Sequence, residues 1–319
     1  MAEEHIPVMV NEVLHYLNCR ANGIYVDATV GDGGHAAAIC GRLKPPGLLI
    51  GLDWDGEALE RAAQRLAQFE GKFRLLQRSY TELGAVLWEL GYARVDGILM
   101  DLGVSTLQLS DPARGFSYRQ EEQLDMRMDR RLETDAAALV NRLPAPSLAR
   151  LIYRYGEERW ARRIAAQIVA YREKEGPIRS GAELAEIVKS AIPAPARRKG
   201  GHPARRTFQA LRIAVNCELE NIEDFLPQAV AHLAPGGRLC VIAYHSLEDR
   251  IVKRFFREHS RSCSCPQPLP CTCGGEGELL LLNRKAVRPA AEELARNPRA
   301  RSALLRAAER RVLKREEGA

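Results

Sequence analysis

No run of this 319-residue chain approaches the ~20 consecutive apolar residues that span a bilayer, and no charged-then-apolar leader pattern opens it. A membrane role is therefore not expected, and the cytosol is the expected compartment. Internal repeats and low-complexity tracts are missing as well. The eight cysteines are not spread as a disulfide framework. Cys19, Cys40, Cys217 and Cys240 stand singly in apolar or helical contexts, where a buried thiol behaves as a small hydrophobe. Cys263, Cys265, Cys271 and Cys273 spell CSC-x5-CTC, which lacks the CxxC pairing that lets two sulfurs face one zinc ion. A reduced loop without metal is the expectation there. Also absent is GxGxxG, the loop that seats a dinucleotide pyrophosphate.

What is present is an ordinary globular composition, 46% hydrophobic and 28% charged, able to bury a core. The length exceeds one average domain, so a principal domain with a sizeable insertion is expected. Net charge is +6, unevenly placed. Residues 284–315 hold eleven Lys/Arg against three Glu, and a second cluster contains Arg197, Arg198, Lys199, Arg205 and Arg206. Such clusters suit a polyanion like RNA, and on charge alone a solvated surface explains them equally well.

The most informative stretch is Gly23–His35, GIYVDATVGDGGH, with Leu49-Ile50-Gly51-Leu52-Asp53 after it. A short β-branched run ends in Asp27, and a loop with Gly31, Gly33 and Gly34 feeds a helical pattern. Glycines there let backbone amides approach a ligand closely. A second apolar strand ends in Asp53, where a carboxylate can accept both hydroxyls of a ribose. The spacing DxTxGxGG implies no pyrophosphate, and S-adenosylmethionine fits it better than NAD.

Strand patterns at Ile24–Asp27, Leu48–Asp53, Phe73–Gln77 and Val95–Leu102 alternate with helical ones at Ala36–Leu43, Gly56–Phe69 and Thr81–Leu90. That rhythm predicts a doubly wound, mostly parallel sheet. From about Asp111 to Ala204 only helical stretches follow: Asp135–Asn141, Pro146–Tyr155, Glu158–Glu173 and Ser180–Ala191. A long helix at Arg206–Leu233 then leads to a strand at Gly237–Tyr244 and a helix at Ser246–Arg257 opened by Ser246. Glu278–Asn283 and Ser302–Ala308 can complete the sheet, although Ser302–Arg315 alone reads as helix.

Ligands of open parallel sheets bind beyond the strands' carboxyl ends. Asp101, closing the fourth strand, is thus placed to contact the cofactor's methionine part or the acceptor. A cap on the following turn is the plainer role. His245 faces the same rim, as an acid–base group or as a group that orients the loop. Asp125-Met126-Arg127-Met128-Asp129 reads as a loop closing over an acceptor or as a structural turn.

Matching segments run in order along almost the whole chain: HIPVMVNEVL, DATVGDGGH, DGILMDLGVSTLQL, RGFSYR with LDMRMD, YGEERWARRIA, HPARRTFQALRIAVNCELE, LAPGGRLCVIAYHSLEDRIVKRFF and NPRARSALLRAAER. On these the chain resembles the bacterial cytosine-N4 methyltransferases of small-subunit ribosomal RNA (the RsmH family, formerly MraW). The resemblance implies a Rossmann-like S-adenosylmethionine-dependent methyltransferase core, at 1–108 and 206–319, with an inserted all-helical substrate-recognition domain at 109–205. It implies S-adenosylmethionine as donor and a cytidine of the decoding region as acceptor, in naked small-subunit RNA or in the assembled subunit. DNA and membrane partners are not expected. Carried over by position, the cofactor contacts are Gly33, Gly34, His35, Asp53, Tyr80, Asp101 and Gln108. Tyr80 stands where Phe is frequent and Thr106 where Ser is frequent. Arg197, Arg198, Lys199, Arg205 and Arg206 are the candidate RNA contacts, Asp101 and His245 the candidate catalytic groups, and no metal is implied.

Overall fold

The computed structural model describes residues 6–105, 108–109, 111–118, 123–197, 201–261 and 277–312. Thr106, Arg198, Lys199 and the cysteines 263, 265, 271 and 273 lie outside them. The chain divides into two compact units, Met1–Gly103 with Leu219–Ala319, and Val104–Glu218.

The first unit is built on a seven-stranded sheet: β1 (Ile24–Asp27), β2 (Leu48–Asp53), β3 (Phe73–Gln77), β4 (Val95–Asp101), β5 (Leu233–Ala243), β6 (Leu279–Leu281) and β7 (Leu304–Arg310). Its order is β3-β2-β1-β4-β5-β7-β6, with β1 to β5 parallel and the β6–β7 hairpin antiparallel. This is the expected doubly wound, Rossmann-like sheet. Tyr25, Leu49, Leu99 and Ile242 enter one buried cluster with Val13 and Leu17 of helix Val10–Leu17, Ile39 of helix Gly34–Cys40 and Leu66 of helix Gly56–Leu66. Their neighbours Val26, Ile50, Ile98 and Val241 point to the other face and are buried too. Both faces are covered, which is why these strands read as continuous apolar runs rather than alternating ones.

The segment after Ser302 completes the sheet as β7, which pairs with β5 on one side and β6 on the other, and two ladders of hydrogen bonds outweigh an Ala/Arg-rich helix propensity. Two expectations need correction. The single helix expected at Arg206–Leu233 is two, Arg205–Asn216 and Glu218–His232. Cys217 sits between them in the left-handed region at φ 49°, a conformation that ends a helix. Cys217 is also exposed, unlike the buried Cys40 and Cys240. The insertion returns later than residue 205, because helix Arg205–Asn216 belongs to the second unit. It lies so close to helix Ala145–Gly156 that a Cβ on Gly156 would come 2.6 Å from the Arg206 carbonyl oxygen.

The second unit also contains helices Ala136–Arg142, Ala161–Glu175 and Gly181–Ala191, each within about three residues of its expected start. Among the described residues its one β feature is an isolated bridge, Gln123 to Ser180. The LDMRMD segment is a structural turn and part of this unit's core. Leu124, Met126 and Met128 are buried, and Met126 takes φ 63°. Asn216 holds the turn: its Oδ1 accepts from the Met128 amide at 2.8 Å, and its Nδ2 donates to the carbonyls of Met126 and Arg212. Asp125 binds Arg127 through both carboxylate oxygens, and that guanidinium holds its carboxyl below the ordinary range against the effect of burial.

Replacing Asn216 with Ala strands the Met128 amide and the Met126 carbonyl, at about 1–3 kcal/mol for each unsatisfied group, while the Arg212 carbonyl keeps its helical bond. Asn216→Ala is expected to lower the denaturation midpoint by an amount corresponding to several kcal/mol. An unchanged midpoint in a urea titration would show that water replaces both bonds.

Candidate active site

The parallel register sets the site. Asp27 pairs laterally with Gly51 of β2 and with Leu99 of β4. Asp53 and Asp101 each stand two residues further on, so two carboxylates flank the point where the chain leaves β1. This is the switch of strand order, the place where an open parallel sheet binds its ligands.

The loop after β1 is tied to both flanks. Gly31, at φ 50°, donates its amide to Asp53 Oδ2 at 2.8 Å, and Asp55 donates to Asp53 Oδ1 at 2.9 Å. Each carboxylate oxygen keeps a lone pair, so Asp53 can still accept two ribose hydroxyls. Thr29 Oγ1 accepts the Asp101 amide at 2.7 Å. A Cβ on Gly31 would meet nothing nearer than 4.0 Å, so the loop there opens to a ligand. Gly33 and Gly34 are explained by packing: a Cβ would lie 3.1 Å from Ala62 and 2.8 Å from Pro7, respectively.

His35 is buried, and its Nε2 lies 2.7 Å from the Val8 carbonyl, which fixes the proton on that nitrogen. Burial keeps the ring below its ordinary pKa, hence neutral. Its Nδ1 is left as an acceptor, 3.6 Å from Asp101 Oδ2. Asp101 Oδ1 accepts the hydroxyl of Tyr244 at 2.9 Å. Asp27 is fully buried; Oδ1 takes the Thr29 amide, and Oδ2 has no hydrogen-bond partner. Burial pushes Asp27 and Asp101 up to about 7 and Asp53 up to about 6. Negative neighbours add to this: Asp101 and Asp53 around Asp27, and Glu248 beside Asp101.

Three carboxyls crowded beside a neutral imidazole, with raised proton affinity, make a rim that favours a cationic ligand. S-adenosylmethionine fits: its ammonium and sulfonium are cationic, and its ribose diol suits Asp53. Asp27 and Tyr244 were not singled out by sequence reasoning. Asp27 was visible as an acid closing a strand, whereas no signal marked the Tyr244 contact.

Tyr80 is buried between Trp54 and Phe225, with centroids at 5.6 and 5.4 Å, which leaves the half-exposed Trp54 as the more open ring. Gln108 lies in the second unit, where its side chain accepts the Ser105 amide and its own amide donates to Ser105 Oγ. His245, rather than Ser246, caps helix Ser246–His259: its Nδ1 accepts the Glu248 amide, and Glu248 Oε2 takes the amides of Tyr244 and His245. Arg197 donates to the Ile192 and Ser190 carbonyls and Arg206 to that of Glu157, while Arg205 is exposed. In the C-terminal basic cluster, Arg306 makes a two-pronged pair with Asp249.

Residues 2–311 match the profile of the MraW methylase family. The chain belongs to that family. It is 51% identical over 310 residues to "Ribosomal RNA small subunit methyltransferase H" of Syntrophobacter fumaroxidans, covering 97% of each chain. The same name is carried by a Geobacter sulfurreducens protein, 52% identical over 311 residues, with 97% of this chain and 100% of that one covered.

The raised carboxyls give the methylase a pH signature. Each binds its proton more tightly folded than unfolded, so ionisation costs the cofactor-free protein stability as pH rises from about 4 towards 7. A cationic donor binds the ionised forms. Its affinity is expected to rise with pH between 6 and 7.5, with proton release near pH 6.5 visible in calorimetry with buffers of different ionisation enthalpy. Asp27→Asn should reduce that release. Binding heats independent of the buffer would refute the assignment.

Proposed function

We propose that this chain transfers a methyl group from S-adenosylmethionine to the exocyclic N4 of a cytidine in the decoding region of small-subunit ribosomal RNA. The observation that carries the donor half is the cluster of Asp27, His35 and Asp101, in which the buried Asp27 Oδ2 has no hydrogen-bond partner. Full-length likeness to small-subunit methyltransferases supports the acceptor half. The second unit, Val104–Glu218, is the proposed recognition part, with Arg205 and its basic neighbours Arg197, Arg198, Lys199 and Arg206 along phosphates. Cytoplasmic ribosomal RNA, alone or in assembling subunits, is the proposed partner.

Bound donor supplies an electrophilic methyl on a positively charged sulfur. The protein must hold that methyl in line with a weak nucleophile, because the cytosine amine delocalises its lone pair into the ring. Asp53 holds the ribose; Asp27 and Asp101 hold the cationic end. Tyr244 fixes one oxygen of Asp101, and Glu248 with His245 fixes the Tyr244 backbone, so His245 is proposed as a positioning residue. A carbonyl of Leu102 or Gly103 is left to accept a hydrogen bond from the amine as its nitrogen becomes pyramidal. Gly103, at φ 103°, stands where a Cβ would press on the Tyr244 ring at 3.3 Å. A side chain there would disturb Tyr244 and, through it, Asp101.

The test is transfer of labelled methyl to small subunits and to naked small-subunit RNA, both from cells lacking this protein, followed by nucleoside analysis. Label is expected in N4-methylcytidine; label in another nucleoside, or in DNA alone, overturns the proposal.

Asp101→Asn is expected to raise the cofactor Kd about ten- to a hundredfold, the cost of a charge-assisted bond worth ~1.5–3 kcal/mol. Single-turnover rates at saturating cofactor should stay within a few fold of wild type. An unchanged Kd with a collapsed rate would place Asp101 on the acceptor instead.

A further inference from the structure

Within the second unit, helices Ala145–Gly156 and Ala161–Glu175 form a hairpin whose connection begins with Glu157, left-handed at φ 47°. A cavity of about 780 Å³ opens on this hairpin, inside the ~300–1,000 Å³ range of small-ligand pockets. Small residues, Ala149 and the buried Ala161, line its inner part, and the exposed Arg150, Tyr153, Arg159 and Arg162 line its outer part.

The cations here are treated differently from others in the same unit. Arg127, Arg131 and Arg212 are each paired with a carboxylate, at 2.7, 2.8 and 2.9 Å. Among the described residues, no carboxylate pairs with Arg150, Arg159 or Arg162. Arg150 donates to Ser147 Oγ at 3.0 Å, and Arg159 lies over the Trp160 ring at 4.9 Å. Both contacts order a guanidinium without neutralising it. Residues 142–163 hold six arginines against two glutamates, and one of the two, Glu158, is buried with Oε1 accepting the Trp160 amide. Tyr153 is 67% exposed, a planar ring with no packing reason to be there.

Uncompensated guanidiniums, those of Arg150 and Arg159 ordered, beside a free aromatic face and a small-residue floor match the chemistry of a nucleotide chain. Phosphates take the arginines, and an unstacked base takes the ring. We propose that this groove binds a single-stranded segment of the RNA substrate, with Arg150, Arg159 and Arg162 on successive phosphates and Tyr153 under a base. The proposal rests on the RNA reading above and assigns a contact outside the methyl-transfer site. A duplex does not satisfy it, because stacked bases offer the ring no face.

The test uses the full chain with two variants, Tyr153→Ala and the double variant Arg159→Ala/Arg162→Ala, all at exposed positions. Affinity for a labelled single-stranded RNA oligomer is measured by fluorescence anisotropy across salt concentrations, with a duplex of equal length as comparison. Tyr153→Ala is expected to weaken single-strand binding about tenfold. The double variant should lower the slope of log affinity against log salt by about 1.4, which is ~0.7 per lost phosphate contact. Calorimetric cofactor affinity should be unchanged, and kcat/KM for small-subunit RNA should fall while kcat is kept.

Wild-type affinity and slope in both variants would overturn the proposal, as would equal losses on duplex. Normal binding of naked RNA with impaired binding of assembled subunits would assign the groove to a protein partner and overturn it as well. Absence of methyl transfer to ribosomal RNA by the wild type would instead refute the functional reading, independently of the oligomer measurements.

Discussion

The alignment of β2, β1 and β4 in parallel register is the constraint on which the site depends. It brings the acids that close these strands to one rim, where Asp53 and Asp101 raise the proton affinity of Asp27 between them. No single contact supplies this. A sheet twisted by one residue of register would send Asp53 or Asp101 to the opposite face, because side chains alternate with a period of two. The apolar interiors of the strands, buried on both faces, therefore hold the carboxylates in place as firmly as their hydrogen bonds do.

Around that rim the protein spends its polar groups on orientation. Thr29 ties the β1 loop to the end of β4, Gly31 ties it to the end of β2, and Tyr244 brings the end of β5 to Asp101. Glu248, itself buried, ends this relay by gripping the Tyr244 and His245 amides. The outcome is a pocket whose acceptors are fixed before a ligand arrives, at the cost of holding like charges together. Preorganisation of this kind moves the cost of ordering from binding to folding.

Much of this was legible in the residues. β1 to β3 stand at their expected limits and β4 ends one residue short of its own, because short apolar runs closed by acids and separated by amphipathic helices have few other solutions. Asp53 and Asp101 were legible for the same reason. β7 was legible as a strand that could complete the sheet, although its composition forms helix and only its two neighbouring strands decide its state. What escaped is physically instructive. The break at Cys217 carries neither glycine nor proline, so nothing local announces it, and the insertion's end was accordingly read too early. His245 is an uncommon cap, which hid the role of Glu248. Asp27 looked like a strand terminus, and its importance comes from an unpartnered oxygen that no sequence pattern encodes. The methionine-rich segment reads equally as a closing loop or a structural turn, and the turn is decided by Asn216, distant in sequence, which binds it from within the fold.

The insertion between β4 and β5 also sets a schedule for synthesis. Strands β1 to β4 leave the ribosome well before β5, whose ladder to β4 runs as far as Asp101 with Ile242. At ~5–20 residues per second, the β4 edge waits roughly seven to thirty seconds for its partner. An apolar strand with one bare edge is a template for wrong pairing during that interval. A helical unit of largely local contacts can fold within it, and once folded it shortens the effective loop that β5 must close. The order of elements along the chain thus makes early folding of the inserted helices a protection for the half-built sheet.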